Sequence, residues 1–437
     1  MPLALRPSWH RIALALPCFA TVTFAETAPP PVPLKDFLGL CVHTVQFHPE
    51  RYEGVVGVVR DYHPISWDLA DDTSQLPPLP LAKNRVSWEH VYGGWRKAGL
   101  RVHASLMLSG FPATKWKNIE SDAYAYGRAF AKMAGPGGKN WLEAVEIGNE
   151  PGHYADADYA RVFDAMTKGI REGDPQLKIA TCNVTTGKST SYEKSLDIFL
   201  PRLGHVDILT VHTYAQTDGW PTWHRTFPED PATPYLRDVR AVVAWRDAHA
   251  KGKPVWVTEF GWDAATSLQG RKGDFVKWEG NVSDATQAAY LLRSIPLFLA
   301  EGVERAHIYF FDDQDEPQMH GASGIFRKGQ PKPSWHALRQ MQRLLGDAHL
   351  ERLDREPSLY TARWRKPDGA CWLMLWTPDA DRNNAATPHT ITQRPLGEVI
   401  PMTLDATEPA TLRAEPAGTG LWSLSIGPRP VFVRITP

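Results

Sequence analysis

The chain contains 437 residues, of which 43% are hydrophobic and 22% are charged, and its formal net charge is −1. That length allows one large and one small domain, since a (β/α)8 barrel alone takes about 250 residues or more. The balanced charge gives no reason to expect a nucleic acid or an anionic membrane surface as a partner.

The N-terminal segment has the pattern of a secretory signal peptide. Basic residues precede an apolar run from Ile12 to Phe24, which is too short to span a bilayer as a stable helix. We predict a signal peptide over residues 1–25 and a proline-rich tether over residues 26–36. The mature protein is therefore expected in the periplasm or outside the cell, as a monomer without a membrane span.

From Phe37 onwards, apolar strand patterns alternate with stretches whose apolar residues recur at helical spacing. This alternation is typical of a parallel sheet with crossover helices, and eight such strands predict an α/β protein with a (β/α)8 TIM barrel over residues 37–342. The predicted strands are Phe37–Val42, Val55–Arg60, Arg101–Leu108, Ala144–Ile147, Leu177–Cys182, Val206–Val211, a run that begins at Pro254 and carries Glu259, and Arg305–Phe311.

Beyond Gly346 the pattern changes to short β segments separated by turn residues, with no helical stretch between them. We predict a small antiparallel β-sandwich over residues 346–437, packed on the barrel. The predicted segments are Leu359–Arg365, Ala370–Thr377, Val399–Leu404, Gly420–Ile426 and Val431–Ile435.

Two of the predicted barrel strands end in a glutamate. Glu150 follows the fourth strand, after Gly148 and Asn149, and Glu259 lies at the end of the seventh. The carboxyl ends of barrel strands meet at one face, where barrel enzymes build their sites. Two carboxylates at that face are what the hydrolysis of a glycosidic bond requires, and the less favoured alternative for either one alone is half of a strand-end ion pair.

These motifs resemble those of clan A retaining glycoside hydrolases, and most closely those of family 39 and its neighbours. Asn149-Glu150-Pro151 on strand 4 and Thr258-Glu259-Phe260-Gly261 on strand 7 look like the paired motifs of the clan. His212-Thr213-Tyr214 is similar to the His-x-Tyr that follows strand 6 in the clan. Arg60 is placed like the clan's arginine near the nucleophile.

The resemblance implies a retaining mechanism in which Glu259 is the nucleophile and Glu150 is the acid/base. Arg60 and Tyr214 would favour the ionised form of Glu259, and the charge of Glu259 would keep Glu150 protonated. Asn149 would bond to the sugar 2-hydroxyl. The expected partner is a carbohydrate with β-glycosidic bonds, and no cofactor or metal ion is expected.

Further residues near strand ends are candidates for sugar binding. They are His43, His212, Trp262, Trp220 and Asp312. Two long loops, residues 213–234 and 262–283, are predicted to wall the substrate cleft because loops at the carboxyl ends of barrel strands form the site. A long, tryptophan-bearing cleft favours internal cleavage of a polysaccharide.

Several alternatives stay open at the level of sequence. The two loops can be surface insertions without chemical importance, and Asp312 can cap a loop instead of binding a sugar hydroxyl. Exo-action on short glycosides, like that of a β-xylosidase, is the alternative to endo-action. A carbohydrate-binding protein without turnover needs neither glutamate, so the presence of both argues against it. A metal site is disfavoured because no His-x-His pair or bridging carboxylate accompanies the candidate histidines, which are His43, His103, His153 and His212.

Overall fold

Eight parallel strands close into a barrel, and the predicted fold class is confirmed. The computed structural model describes residues 29–69, 71–74, 86–217, 222–266, 277–278, 280–381, 385–392, 396–407 and 409–435. Each strand pairs with its neighbours in chain order, and the first pairs with the last, with Leu38 opposite Ala306. The barrel strands are β1 (Leu38–Val42), β2 (Val58–Pro64), β3 (Arg101–Met107), β4 (Ala144–Ile147), β5 (Lys178–Thr185), β6 (Ile208–His212), β7 (Val255–Phe260) and β8 (Arg305–Ile308).

Six long helices among the described residues surround the barrel. Ser87, Asn118 and Ser283 start three of them, and each side chain accepts a backbone N–H of the first turn. None of the described helices combines the length and hydrophobicity that crossing a bilayer requires. The long helices are α1 (Trp88–Lys97), α2 (Ile119–Ala134), α3 (Asp156–Gly173), α4 (Tyr235–His249), α5 (Asp284–Ala300) and α6 (Pro333–Leu345).

The remaining elements of the barrel domain are short. Residues 34–36, predicted as part of a tether, belong to the helical turn Leu34–Phe37, in which Leu34 is buried against the barrel. Residues 1–28 lie outside the described residues, so the predicted signal peptide stays a prediction. The other helical turns are Thr44–Gln46, Pro49–Tyr52, Ile65–Asp68, Ala113–Lys115, Leu196–Ile198 and Leu200–Arg202, and the short strands are Lys194–Ser195, Gln216–Thr217, Thr222–Arg225, Lys277–Trp278, Asp312–Asp313, Phe326–Arg327 and Gln330–Pro331.

Strand β2 runs on to Pro64, four residues beyond its predicted end at Arg60. Among the added residues, the outward-facing Asp61 and His63 are polar, yet both are buried and hydrogen-bonded. The Tyr92 hydroxyl donates to Asp61 at 2.9 Å and lies 2.7 Å from Nδ1 of His63. These bonds satisfy polar groups that would be costly to bury alone, and they hold β2 against α1.

The C-terminal part forms two antiparallel sheets, as predicted for a sandwich. The strands are β9 (His349–Glu356), β10 (Leu359–Arg365), β11 (Cys371–Trp376), β12 (Thr387–Thr392), β13 (Leu396–Pro401), β14 (Glu415–Gly418), β15 (Leu421–Ile426) and β16 (Val431–Ile435). The five-stranded sheet has the order β9-β10-β11-β16-β13, and the three-stranded sheet has the order β12-β15-β14. A small core of buried aliphatic side chains, including Leu373, Leu424 and Val433, lies between them.

The other face of the five-stranded sheet packs on the barrel. Trp364 and Trp376 are fully buried and belong to the same hydrophobic cluster as the barrel strands and helices. The Trp376 indole N–H donates to Glu229 at 2.6 Å, and Glu229 also forms a buried ion pair with Arg293 of α5. The tryptophans of this sheet are therefore core residues.

Candidate active site

Glu259 lies near the end of β7, and the residue as a whole is only 5% exposed. Arg60 Nη1 donates to its Oε1 at 3.2 Å, and the Tyr62 hydroxyl donates to the same oxygen at 2.7 Å. The Tyr214 hydroxyl donates to Oε2 at 2.9 Å. Three hydrogen-bond donors from β2 and from the loop after β6 therefore converge on one buried carboxylate.

The surroundings of Glu259 favour its ionised form. Burial alone would raise the pKa of the carboxyl, but the charges of His212 and Arg60 and the hydrogen bond from Tyr62 outweigh it and lower the pKa below its ordinary value. Glu259 is consequently ionised at neutral pH, as a nucleophile must be.

Glu150 reaches the same region from β4. The strand ends at Ile147, and Gly148 follows with φ of +88°, a left-handed conformation that favours glycine at this turn. The Glu150 side chain is 29% exposed, whereas that of Glu259 is 7% exposed. The two carboxylates thus occupy different environments, one open to solvent and one enclosed by donors.

His212, the last residue of β6, lies between the two carboxylates. Its Nδ1 is 2.9 Å from Glu150 Oε1 and 3.6 Å from Glu259 Oε2. Burial lowers the pKa of this imidazole, but the two neighbouring carboxylates outweigh burial and raise it. The ring therefore orients Glu150 and carries positive charge more readily than a free histidine does.

The two glutamates are close enough to act on one bond. One carboxylate oxygen of Glu150, one of Glu259 and a ring nitrogen of His212 all lie within 4.8 Å of one another. Within the described residues, this is the group of three whose ligand atoms could also hold a cation. His103, one of the histidines weighed above, is fully buried 3.6 Å from Glu146.

Arg60 connects the carboxylate of Glu259 to Glu146 and Asn149. Its Nε and Nη2 each donate to Glu146 at 2.9 Å, and both side chains are fully buried. Nη2 also donates to Asn149 Oδ1 at 2.7 Å, which fixes the orientation of that amide. Arg60 therefore holds parts of β2, β4 and β7 in one arrangement, which a bidentate guanidinium does well.

His43, predicted to bind sugar, follows β1 and lies beside the site. Its ring stacks on Tyr62 with 4.8 Å between the ring centres. Burial lowers the pKa of the His43 imidazole, and the nearby charge of Glu259 opposes this only in part.

Trp262, predicted to bind sugar, does not face the site, and that prediction is wrong. The side chain is fully buried, and its indole N–H donates to the backbone oxygen of Thr226 at 2.7 Å. Tyr235 and Tyr290 each contact it edge to face with 5.5 Å between ring centres. Trp262 packs the loop after β7 against the helices around it.

Asp312, another predicted sugar ligand, anchors a loop. Both of its carboxylate oxygens accept the backbone N–H of Gly329 at 3.0 Å, and its backbone oxygen accepts a hydrogen bond from Gln46. This favours the alternative that Asp312 caps a loop. Trp220 lies outside the described residues, so its predicted contact with sugar stays a prediction.

Tyr62 was not among the predicted site residues. The alternation of side chains along a strand places residues i and i+2 on one face, so Tyr62 shares the inward face of β2 with Arg60. This alternation could have pointed to Tyr62, but it applies only if the strand continues past Arg60, as it does here.

Comparison with known proteins identifies the type of domain. Residues 100–292, which include both glutamates, match the model of the family described as cellulase (glycosyl hydrolase family 5). The barrel is a glycoside hydrolase domain. The predicted resemblance to clan A is confirmed. Because the match covers less than half of the chain, the family within that clan stays a prediction.

Solved structures of other glycoside hydrolases have a similar fold. A family 39 glycoside hydrolase from Bacteroides cellulosilyticus WH2 is 16% identical, with a TM-score of 0.66 over 93% of this chain and 81% of that one. The catalytic domain of GH30 xylanase C from Talaromyces cellulolyticus is 13% identical, with a TM-score of 0.58 over 94% and 99%. The GH51 arabinofuranosidase from Xanthomonas axonopodis pv. citri is 13% identical, with a TM-score of 0.60 over 94% and 98%. No curated protein matches the chain.

Proposed function

We propose that this glycoside hydrolase cleaves β-glycosidic bonds with retention of configuration, with Glu259 as nucleophile and Glu150 as acid/base. The observation that carries the proposal is the separation of the two carboxylates, whose nearest ligand atoms lie within 4.8 Å. Retaining enzymes hold their carboxyl groups about 5–5.5 Å apart, whereas inverting enzymes need about 6.5–9.5 Å to admit a water molecule.

In the first step, Glu259 attacks the anomeric carbon and forms a glycosyl-enzyme. The bond to the leaving oxygen breaks, and Glu150 gives that oxygen its proton. Glu150 suits this exchange because its side chain is partly open to solvent and is oriented by His212.

In the second step, Glu150 takes a proton from water, and the water oxygen bonds to the anomeric carbon. The bond to Glu259 breaks, and its electron pair returns to the carboxylate. The amide of Asn149, oriented by Arg60, is placed to bond the sugar 2-hydroxyl. That contact strengthens in the transition state and so accelerates both steps.

The proposed substrate is a polysaccharide that is cut internally. Tyr192 supports a binding surface that extends beyond the two glutamates, because this residue is 60% exposed in the loop after β5. This loop packs on the segment that carries Glu150: a Cβ on Gly152 would lie 2.0 Å from the backbone oxygen of Ser191. An exposed phenol ring in a loop that packs on this segment offers an apolar face to a further sugar unit.

The stereochemical test uses an aryl β-glycoside panel with nuclear magnetic resonance detection of the first sugar released. We expect the β-anomer to appear first and to equilibrate later. Glu259→Ala is expected to lower kcat by several orders of magnitude, beyond the ~10²–10⁴ of acid–base assistance, and a fluoro-sugar inactivator should label Glu259. Initial release of the α-anomer, or labelling of another residue during turnover, would contradict the proposal.

The product profile from a long β-glycan separates endo-action from exo-action. Rapid loss of viscosity with oligosaccharides of mixed length supports internal cleavage. Accumulation of a single monosaccharide from the first minutes would instead support the alternative, an exo-acting β-glycosidase on short glycosides. Binding of the glycan without any product would support the carbohydrate-binding alternative.

We further propose that the protein is exported and acts in the periplasm or outside the cell. The proposal rests on the predicted signal peptide over residues 1–25. Mass spectrometry of the protein from a fractionated secretory host tests it, because export predicts a mature chain that begins near Glu26. An uncleaved chain confined to the cytoplasm would contradict it.

A further inference from the structure

The two oxygens of the Glu259 carboxylate have unequal surroundings. Oε1 accepts hydrogen bonds from Tyr62 at 2.7 Å and from Arg60 at 3.2 Å. Oε2 accepts one from Tyr214 at 2.9 Å and faces His212, which is 3.6 Å away. Oε1, with two donors, is therefore the more strongly hydrogen-bonded oxygen, and Oε2 is the more available for attack.

Tyr62 is held rigidly in its position. The His43 ring stacks on one side with 4.8 Å between ring centres, and the Arg60 guanidinium carbon lies 4.9 Å from the ring centre. Phe310 and Cys41 are buried in the same small cluster. Burial and nearby negative groups raise the pKa of the Tyr62 phenol well above its ordinary value, so it stays a neutral donor.

The outer face of β2 fixes the backbone that carries Tyr62. Its neighbour Asp61 accepts hydrogen bonds from Thr44 at 2.9 Å and from Tyr92 at 2.9 Å. Thr44 directly follows His43, so the same bonds also place the ring that stacks on Tyr62. The donor hydroxyl therefore has little freedom to leave the carboxylate.

We propose that Tyr62 is a catalytic residue that holds Oε1 as the non-attacking oxygen and stabilises the carboxylate as it re-forms when the glycosyl-enzyme is hydrolysed. This inference rests on the proposed retaining function. In that step, water oxygen bonds to the anomeric carbon, the bond from that carbon to Oε2 breaks, and its electron pair spreads over the Glu259 carboxylate. Glu150 takes the water proton, and Tyr62 keeps its own throughout.

Tyr62 makes the departing carboxylate a better leaving group because a donated hydrogen bond favours its charged form. A hydrogen bond to a charged group contributes a factor of about 10–100. The effect should appear in kcat with substrates that have good leaving groups, since hydrolysis of the glycosyl-enzyme then limits the rate. The same bond favours the ionised form of Glu259 in the free enzyme. It therefore also influences the acid limb of the pH profile, which is the fall of kcat/KM at low pH as Glu259 becomes protonated.

The test compares Tyr62→Phe with the unchanged enzyme and with Tyr126→Phe. Tyr126 also donates from a buried position to a carboxylate, Asp68, at 2.8 Å, but it lies outside the site. With a dinitrophenyl glycoside, Tyr62→Phe should lower kcat about 10- to 100-fold and show an initial burst of released dinitrophenol. Its acid limb should move upward by about one pH unit. Tyr126→Phe should leave the burst and the limb unchanged even if it lowers stability.

Incorporation of 3-fluorotyrosine at position 62 gives a second test that preserves the shape of the residue. The stronger phenol donor should move the acid limb downward. An unmoved limb in both variants, or an equal shift in Tyr126→Phe, would overturn the inference.

A carbon-13 titration of the Glu259 carboxyl, assigned with Glu259→Gln, needs no turnover. If no glycoside is hydrolysed by the unchanged enzyme, the proposed function fails and the catalytic role of Tyr62 fails with it. If hydrolysis occurs but Tyr62→Phe leaves both this titration and kcat unchanged, only the role of Tyr62 fails.

Discussion

The contrast between a buried and an exposed aromatic residue yields a measurable prediction. Trp262 is fully buried and donates to the Thr226 backbone oxygen at 2.7 Å, whereas Tyr192 is 60% exposed in a loop that packs on the segment carrying Glu150. We therefore expect Trp262→Phe to lower stability without changing substrate affinity. We expect Tyr192→Ala to lower substrate affinity without changing stability, which makes it the matched control.

The expected magnitudes follow from the contacts of each side chain. Trp262→Phe leaves the Thr226 carbonyl without its indole donor, at a cost of about 1–3 kcal/mol, and opens a small cavity, for a total of about 2–4 kcal/mol. Trp262→Ala would cost about 3–5 kcal/mol for the lost side chain alone, a large share of a typical stability of about 5–15 kcal/mol. The phenylalanine variant is preferable because it should remain folded.

Urea unfolding followed by tryptophan fluorescence measures the change in stability as a shift of the midpoint at constant slope. KM for an oligosaccharide measures the contribution to binding. Loss of a stacked aromatic worth about 1–2 kcal/mol should raise KM about 5- to 30-fold in Tyr192→Ala. A Trp262→Phe variant with an unchanged midpoint and a raised KM would refute the assignment of Trp262 to the core.

Two further predictions concern the acid/base and the dependence of stability on pH. Glu150→Ala should lower kcat by about 10²–10⁴ for substrates with poor leaving groups. Added azide should enter the space left by this partly exposed side chain and yield a glycosyl azide of retained configuration. An azide product of inverted configuration would contradict the mechanism. Burial raises the pKa of Asp61 to about 6, and the carboxylates around His212 raise its pKa. Both groups bind protons more tightly in the folded chain, so their stabilising effect is present at low pH and is lost as the pH rises through their folded pKa values. The thermal midpoint should therefore rise as the pH is lowered through about 6, the folded pKa of Asp61, and Asp61→Asn should flatten that rise; a midpoint that falls as the pH is lowered through this value would contradict the expectation.

The meeting of Glu150 and Glu259 could be predicted from sequence because parallel barrel strands bring their carboxyl ends to one face. The places of Arg60 and Tyr214 beside Glu259 followed from the resemblance to clan A. For the two glutamates, the position along the chain was sufficient, without any knowledge of side-chain contacts. What the sequence could not specify was the division of hydrogen bonds between the two oxygens of Glu259, which depends on where β2 ends.

The errors share a physical origin, since burial is decided by tertiary packing. The predicted end of β2 at Arg60 is too early, because partners on the first loop and on α1 allow the polar Asp61 and His63 to be buried in the strand. Trp262 follows a catalytic strand and so suggested a sugar platform, yet its ring fits between Tyr235 and Tyr290. Neither outcome is visible in the local pattern of residues.

The packing of the five-stranded sheet on the barrel limits how this enzyme can be re-engineered. A carbohydrate-binding module on a linker can be deleted or exchanged while the catalytic domain stays intact. A chain shortened after Leu345 would instead uncover the barrel surface that Trp364 and Trp376 bury, and it would leave Glu229 without its indole donor. The sandwich is therefore an inseparable part of the catalytic fold, and the two domains should melt in one cooperative transition.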